Sequence, residues 1–238
     1  MFKSEFHVHT RISKDSILTF NLLLIMLKIK HIKTVAITDH NEVRGALKYK
    51  DKFKKYGIEV IVGEEIFTSK GEIIGLGLIK KIEPGLSPKE TIRLIKKQNG
   101  LVYVPHPFDV KRSKTVLEEV EIKNNASDID FIEVHNGRNI EKFYDIRQNE
   151  IAEKYNIQKI IGSDSHTFFE IGRNYIISDN IIDINNIKNE IKNGKFIEKK
   201  CIKFAHKWTK IARLITFLYK GDIYGIIRIV KKKIKRRK

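Results

Sequence analysis

A chain of 238 residues with 41% hydrophobic content can bury one large core, and its size calls for no second full domain. Its net charge of +18 is unevenly placed: 15 of the 47 lysines and arginines, but one acid, Asp222, fall in residues 199–238, so the body is nearly balanced and the tail is basic. A single cysteine, Cys201, excludes an intrachain disulfide and a thiolate zinc knot, and a reducing, cytoplasmic setting is the expectation.

Residues 1–6 lack the apolar stretch of a signal peptide, and residues 17–27, interrupted by Asn21, are too short to span a bilayer, so no transmembrane segment is expected. Short apolar runs then alternate with amphipathic ones. The pattern predicts a strand over 2–8, a helix over 18–29, a strand over 34–38, a helix over 43–56 and a strand over 59–62. A hairpin of 64–69 and 72–79 follows, turning at Lys70-Gly71. Ser87 caps a helix that starts at Pro88, runs to Gln98 and stops at Gly100. After it come a strand over 101–104, a helix over 113–120, a strand over 131–134, a helix over 141–155 and a strand over 159–161. This βαβα order predicts an α/β fold with a parallel sheet and roughly seven units, short of an eight-fold barrel. The expected division is a barrel over 1–198 and a basic tail over 199–238.

In the tail, Phe204, Trp208, Ile211, Ala212, Ile215 and Leu218 recur at helical spacing opposite Lys203, Lys207, Lys210 and Arg213. Gly221 interrupts, and a second helix carrying Ile223, Ile226, Ile227, Val230 and Ile234 runs into the terminal bases. Such a tail can pack on the barrel, bind nucleic-acid phosphates, or lie on an anionic membrane surface, peripherally.

The chemistry gathers at strand ends. His7-Val8-His9 places two imidazoles on one face of a strand, and Asp39-His40, Glu64-Glu65, His106 and Asp164-Ser165-His166 each end an apolar run. Six of the eight histidines occupy such positions, and His31 and His206 do not. A barrel of parallel strands delivers these ends to one face, where dispersed ligands converge. Nitrogen and oxygen donors without thiolates suit Zn²⁺, Mn²⁺ or Fe²⁺, and carboxylates able to bridge, such as Glu65 and Asp164, suit more than one ion. Glu64 alternates with Glu65 and is expected to point away.

The motifs Phe6-His7-Val8-His9-Thr10 with Asp15, Thr38-Asp39-His40-Asn41, Gly63-Glu64-Glu65, Gly71-Glu72, Pro105-His106-Pro107, Glu133-Val134-His135-Asn136-Gly137-Arg138, and Gly162-Ser163-Asp164-Ser165-His166 with Gly172-Arg173 follow one another in order. Over about residues 1–178 this series resembles the PHP (polymerase and histidinol phosphatase) family of metal-dependent phosphoesterases. The resemblance implies a distorted, TIM-like (β/α)7 barrel holding two or three divalent ions. By motif, His7, His9, Glu65 and Asp164 would hold one ion, Asp15, His40 and His166 another, and Glu65, Glu72 and His106 a third. Glu65, Asp164 and His166 are the expected catalytic residues. Glu72 stands where many relatives carry histidine, a change that hardens the site toward Mn²⁺. Arg138 and Arg173 are candidate phosphate contacts, and His135, on the strand face of Glu133, is a candidate ligand contact with a supporting role. The implied reaction is hydrolysis of a phosphomonoester or phosphodiester (a small metabolite, a nucleotide or an oligonucleotide end) by a metal-activated hydroxide. The competing expectation is a nucleic-acid or membrane-surface binding protein built on a metal-stabilised barrel.

Overall fold

The computed structural model describes residues 1–109, 116–219 and 221. Its nine strands form one curved sheet in the order β7-β6-β5-β4-β3-β2-β1-β8-β9. The strands are β1 (Phe2–Val8), β2 (Ile32–Ile37), β3 (Glu59–Thr68), β4 (Gly71–Leu76), β5 (Leu101–Val104), β6 (Phe131–Asn136), β7 (Gln158–Gly162), β8 (Tyr175–Ser178) and β9 (Lys195–Ile197). β1, β2 and β3 run parallel, as do β5, β6 and β7, whereas β4 is antiparallel to both its neighbours. The ring is drawn shut between β1 and the chain leaving β7: Ser163 N donates to Phe6 O at 2.9 Å, and His9 N to Ser165 O at 2.9 Å. The result is a seven-stranded, nearly closed barrel, distorted because a hairpin replaces one βα unit.

The helices are α1 (Phe20–Ile29), α2 (Arg44–Lys54), α3 (Pro88–Lys97), α4 (Glu119–Asn125), α5 (Lys142–Lys154), α6 (Ile187–Asn193) and α7 (Ala205–Tyr219). Local chemistry sets several ends. The Thr19 hydroxyl accepts from Leu22 N to start α1, and Ser87 accepts from Glu90 N to start α3 with Pro88 in its first turn. Buried Leu23, Leu27, Val35, Ile37, Ile74, Val102 and Ile132 lie in one continuous apolar core.

Three expectations need correction. The strand foreseen over 59–62 and the first arm of the hairpin are a single strand, β3. Gly63 does not break it, because a Cβ there would stand 2.9 Å from Thr38 Cγ2 and 3.1 Å from the Gly75 carbonyl oxygen, so glycine permits close packing within an unbroken ladder. The helix foreseen over 113–120 begins at Glu119 instead, after an extended Glu118, with Glu119 and Glu121 in its first turn where the helix dipole favours acids. Residues 113–115 of that expectation lie outside the described residues. In the tail, α7 faces the barrel through buried Ala205 and Ala212 rather than through its large apolar residues; the second tail helix lies outside the described residues. Among the described residues, no helix is long and apolar enough to cross a membrane.

Candidate metal centre

His7 belongs to β1 and His9 follows it, His40 follows β2, Glu65 lies within β3, His106 follows β5, and Asp164 and His166 follow β7. Because β4 runs backwards, its second residue, Glu72, comes to the same barrel end, paired with Phe67. Asp15 arrives on the loop between β1 and α1. All nine converge on one cage, and eight of them are buried, His40 being partly open to solvent.

The pleat alone does not bring them there. Between Glu5 and Val8 the pairing with β2 slips, and His7 adopts φ 62°, a left-handed bulge. Its ring centroid still lies 5.1 Å from that of His9. His106 (φ 28°) and Asp164 (φ 50°) are also in positive-φ conformations.

Separations between donors decide what the cage can hold. Two donors about 2.1 Å from one tetrahedral ion lie about 3.4 Å apart, beyond good hydrogen-bond length. His7 Nε2 is 3.3 Å from Glu65 Oε1 and 3.8 Å from Asp164 Oδ1; His9 Nε2 is 3.3 Å from Glu65 Oε2 and 3.5 Å from Asp164 Oδ1. His40 Nε2 is 3.7 Å from Asp15 Oδ2, and His166 Nε2 is 3.6 Å from Asp15 Oδ1. Glu72 stands 3.8 Å from His40 Nδ1 and 3.7 Å from His106 Nε2. Shorter contacts join Glu65 to His40 Nδ1 at 2.8 Å and to His106 Nε2 at 3.0 Å. Four triads, His7-Glu65-His106, His7-His9-Asp164, His9-His40-His166 and His40-Glu65-Glu72, offer ligand atoms within 4.8 Å of one another. His40 therefore faces Glu65 and Glu72 as well as the Asp15-His166 pair with which the resemblance groups it. The Nε2 atoms of His7 and His9 are buried and make no hydrogen bond. Buried imidazole nitrogens turned toward carboxylates at ligand spacing fit divalent ions.

A second layer orients these donors. His7 Nδ1 donates to Glu133 at 2.9 Å and His166 Nδ1 to the Asp164 carbonyl at 2.8 Å, each leaving Nε2 for the cage. Glu133 also accepts from His106 N at 2.6 Å, from Asn136 Nδ2 at 2.8 Å and from the Tyr103 hydroxyl. Asp39 accepts from Thr10 N at 2.7 Å, Thr10 Oγ1 at 2.6 Å and Ser13 Oγ at 2.7 Å, clamping the loop that carries Asp15. Glu170 accepts from His166 N at 3.0 Å and Thr167 N at 2.9 Å.

Charge balance among the buried groups is tense. Burial works against the His7 imidazolium, but Glu65, Asp164 and Glu133 outweigh it and hold its pKa well above the usual value. For His40, Glu65 and Asp15 likewise overcome burial, and its pKa is pushed up to about 10. Burial, reinforced by His166 and His40, drives His9 well below its ordinary value. Glu65 and Asp15 are held low against burial, both chiefly by His40.

The other expected site residues do not join the donor set. A bulge between Glu133 and His135 breaks the shared strand face: Glu133 turns to His7, while His135 bonds Asp145 at 2.8 Å and Asn174 at 3.2 Å. Arg173 donates to the Lys200 carbonyl at 2.9 Å. Arg138 lies beside His166, at 3.0 Å from Nη1 to Nδ1, yet it is buried and paired with Glu170 at 3.2 Å. Glu64 points away, as expected, and accepts from Ile82 N at 2.9 Å. Tyr103 and Glu170 escaped the sequence reading because an isolated polar residue carries no spacing signal, and Asn136, although within the motif of residues 133–138, was given no role. Arg213 escaped it because it stood among the tail bases: its Nη2 lies 2.7 Å from Asp15 Oδ2.

The chain is similar to known proteins. Two uncharacterised proteins of Methanocaldococcus jannaschii are similar: MJ0417 is 36% identical over 179 residues, covering 73% of this chain and 69% of its own length. MJ1587 is 45% identical over 116 residues, covering 44% and 68%. A two-domain protein of Bacteroides vulgatus that contains a predicted PHP-like metal-dependent phosphoesterase superposes with a TM-score of 0.67 at 18% identity, over 82% of this chain. This chain spans 65% of that protein, just under two thirds. The PHP domain profile matches residues 5–198, from β1 through β9, and the chain belongs to the PHP domain family.

Proposed function

We propose that the chain is a metal-dependent phosphoesterase that hydrolyses a phosphomonoester or phosphodiester of a small metabolite, a nucleotide or an oligonucleotide end. The observation that carries this reading is the convergence of His7, His9, Asp15, His40, Glu65, Glu72, His106, Asp164 and His166 on one barrel end at ligand spacing. Two or three divalent ions (Mn²⁺, Zn²⁺ or Fe²⁺) held there would lower the pKa of water and neutralise phosphoryl oxygens. Glu65, within 3.3 Å of four imidazoles, would help to hold more than one of these ions. Asp164 Oδ1 stands 3.5 Å from His9 Nε2 and 3.4 Å from His166 Nδ1. The serine hydroxyls nearby are committed as donors, Ser13 to Asp39, Ser16 to the His9 carbonyl and Ser165 to Glu5, which favours water over a side chain as the attacking group. His9→Ala and Asp164→Ala are expected to abolish hydrolysis of an aryl phosphate in Mn²⁺-replete buffer while circular dichroism stays native; full turnover by either variant rejects the assignment.

A second reading concerns α7. Phe204, Ile211, Ile215 and Leu218 are 55%, 43%, 50% and 61% exposed along one stripe beside Lys203, Lys207 and Lys210. Bare apolar side chains next to lysines match an anionic bilayer surface better than a nucleic acid, which offers no apolar layer. We propose that this face lies on such a surface. Ile211→Glu with Ile215→Glu is expected to stop co-sedimentation with phosphatidylserine vesicles; binding to oligonucleotides but not to vesicles would refute the reading.

A further inference from the structure

Three guanidinium groups come into question as phosphate contacts, and the protein uses them differently. Arg138 is consumed: Nε pairs with Glu170, Nη2 donates to Thr209, and Nη1 rests against His166, all below the surface. Arg173 is turned to the Lys200 carbonyl. Arg213 differs from both. One nitrogen reaches Asp15 at 2.7 Å, while its side chain remains 49% exposed. A guanidinium has five N–H donors in one plane, so with one nitrogen on Asp15 and the side chain half exposed, most of its hydrogen-bonding capacity is open beside a residue of the cage.

The way α7 packs explains how a residue this late in the chain arrives there. Ala205 and Ala212 are buried, and Thr209 accepts from Arg138, so a face of small side chains brings the helix close to the barrel rim. Arg213 lies one turn beyond Thr209, on the same side. Asp15, its partner, is also 3.7 Å from His40 and 3.6 Å from His166. The guanidinium thus borders the donor set without belonging to it.

We propose that Arg213 is the substrate-anion residue of this centre, and that it selects phosphomonoesters over phosphodiesters. This rests on the phosphoesterase reading above. With one edge held by Asp15, the remaining fork can take two oxygens of a terminal phosphate in bidentate fashion. A monoester dianion has three non-bridging oxygens, so two on the guanidinium fork would leave one for the divalent ions. A diester has two non-bridging oxygens and half the charge, so it cannot serve the ions and the fork together.

The test uses the full chain loaded with Mn²⁺, comparing the unsubstituted protein with Arg213→Ala and Arg213→Lys. Steady-state rates on p-nitrophenyl phosphate and bis(p-nitrophenyl) phosphate are measured beside calorimetric binding of inorganic phosphate. For Arg213→Ala, KM for the monoester and Kd for phosphate are expected to rise about tenfold or more, the usual effect of losing a charge-assisted bond, with kcat moving less than KM. The diester KM is expected to stay near its original value, and Arg213→Lys to recover part of the loss as a point charge without a fork. Unaltered phosphate affinity in Arg213→Ala, or equal weakening toward both esters, overturns the assignment. The parent reading fails separately: the unsubstituted protein would then turn over neither ester, while phosphate calorimetry on the variants would still judge Arg213.

Discussion

Glu133→Gln isolates the layer behind the metal ligands. The carboxylate is fully buried and accepts from His7 Nδ1, the Tyr103 hydroxyl, His106 N and Asn136 Nδ2. Burial alone would raise its pKa, but His7 above all holds it below the ordinary carboxylate value, so it is an acceptor at both oxygens. Glutamine has the same shape and turns one of those oxygens into a donor. Oε1 serves His7 and Tyr103, and Oε2 serves His106 N and Asn136, so either orientation of the amide faces two donors. Losing two bonds to a charged acceptor costs about 3–6 kcal/mol, with the lower end favoured because the Tyr103 hydroxyl can rotate to accept. For a domain of this size that is a melting decrease of about 6–12 °C at the lower end. Since His7 loses the group that orients it, Mn²⁺ affinity should fall about 10–100-fold. Chelator competition measures the affinity and thermal unfolding the stability. A variant within threefold of the original affinity and within about 1 kcal/mol of its stability would show that Glu133 does not orient His7, and the reasoning would fail.

Gly162→Ala should reproduce much of that phenotype without changing any polar group, because the new Cβ would stand 1.7 Å from Glu133 Oε1 and 2.7 Å from the Tyr103 hydroxyl oxygen; a native Mn²⁺ titration for this variant would contradict the packing. Glu64→Gln should stabilise the protein in alkaline buffer: burial raises the folded pKa of Glu64 to about 7 from 4.5, so the contribution of this group is present below pH 4.5 and is lost as pH rises through 7. The gain over the original chain should approach about 3 kcal/mol at pH 8 and vanish near pH 4, and urea melts showing a pH-independent difference would refute it. Glu72→His, which replaces a carboxylate 3.7 Å from His106 and 3.8 Å from His40 with an imidazole, should shift occupancy from Mn²⁺ toward Zn²⁺ after dialysis against equimolar ions; an unchanged ratio by elemental analysis would show that Glu72 does not set the preference.

Most residues of the cage were legible in the sequence because His7, His9, His40, Glu65, His106, Asp164 and His166 lie in or at the ends of apolar runs, and a parallel barrel turns that one-dimensional regularity into proximity, whereas Asp15 and Glu72 end no such run and came only with the family resemblance. What was not legible follows from three physical causes. Bulges are invisible to a period-two pattern: simple alternation puts Glu133 and His135 on one face, whereas the extra residue between them sends one ring to Asp145 and one carboxylate to His7. A supporting group such as Tyr103 acts through a contact to Glu133, 30 residues away, that no local pattern encodes. The tail hid the position of Arg213 in its composition, since this residue differs from Lys207 or Lys210 only in what the packing of Ala205 and Ala212 lets it reach. The small side chains of α7, not its large apolar ones, determined where the helix sits.

Strain offers an argument for the centre that is independent of any relative. His7, His106 and Asp164 all occupy positive φ, a conformation that costs a residue with a Cβ about 1–3 kcal/mol and persists only when its surroundings over-determine it. They do so here. The His7 carbonyl accepts from Ser165 N at 3.2 Å and from Ser163 Oγ at 3.2 Å, His106 N is taken by Glu133, and the Asp164 carbonyl is taken by the ring of His166. Each of these bonds comes from a residue that also positions a donor or closes the barrel, so relaxing one backbone angle would disturb both the seam and the cage. Folding alone would be served by ordinary strand geometry at these positions. Among the described residues eight non-glycine positions have positive φ, and three of them are converging side chains, where the departures aim imidazole and carboxylate groups inward and tie the distortion of the barrel to the assembly of its donor cage.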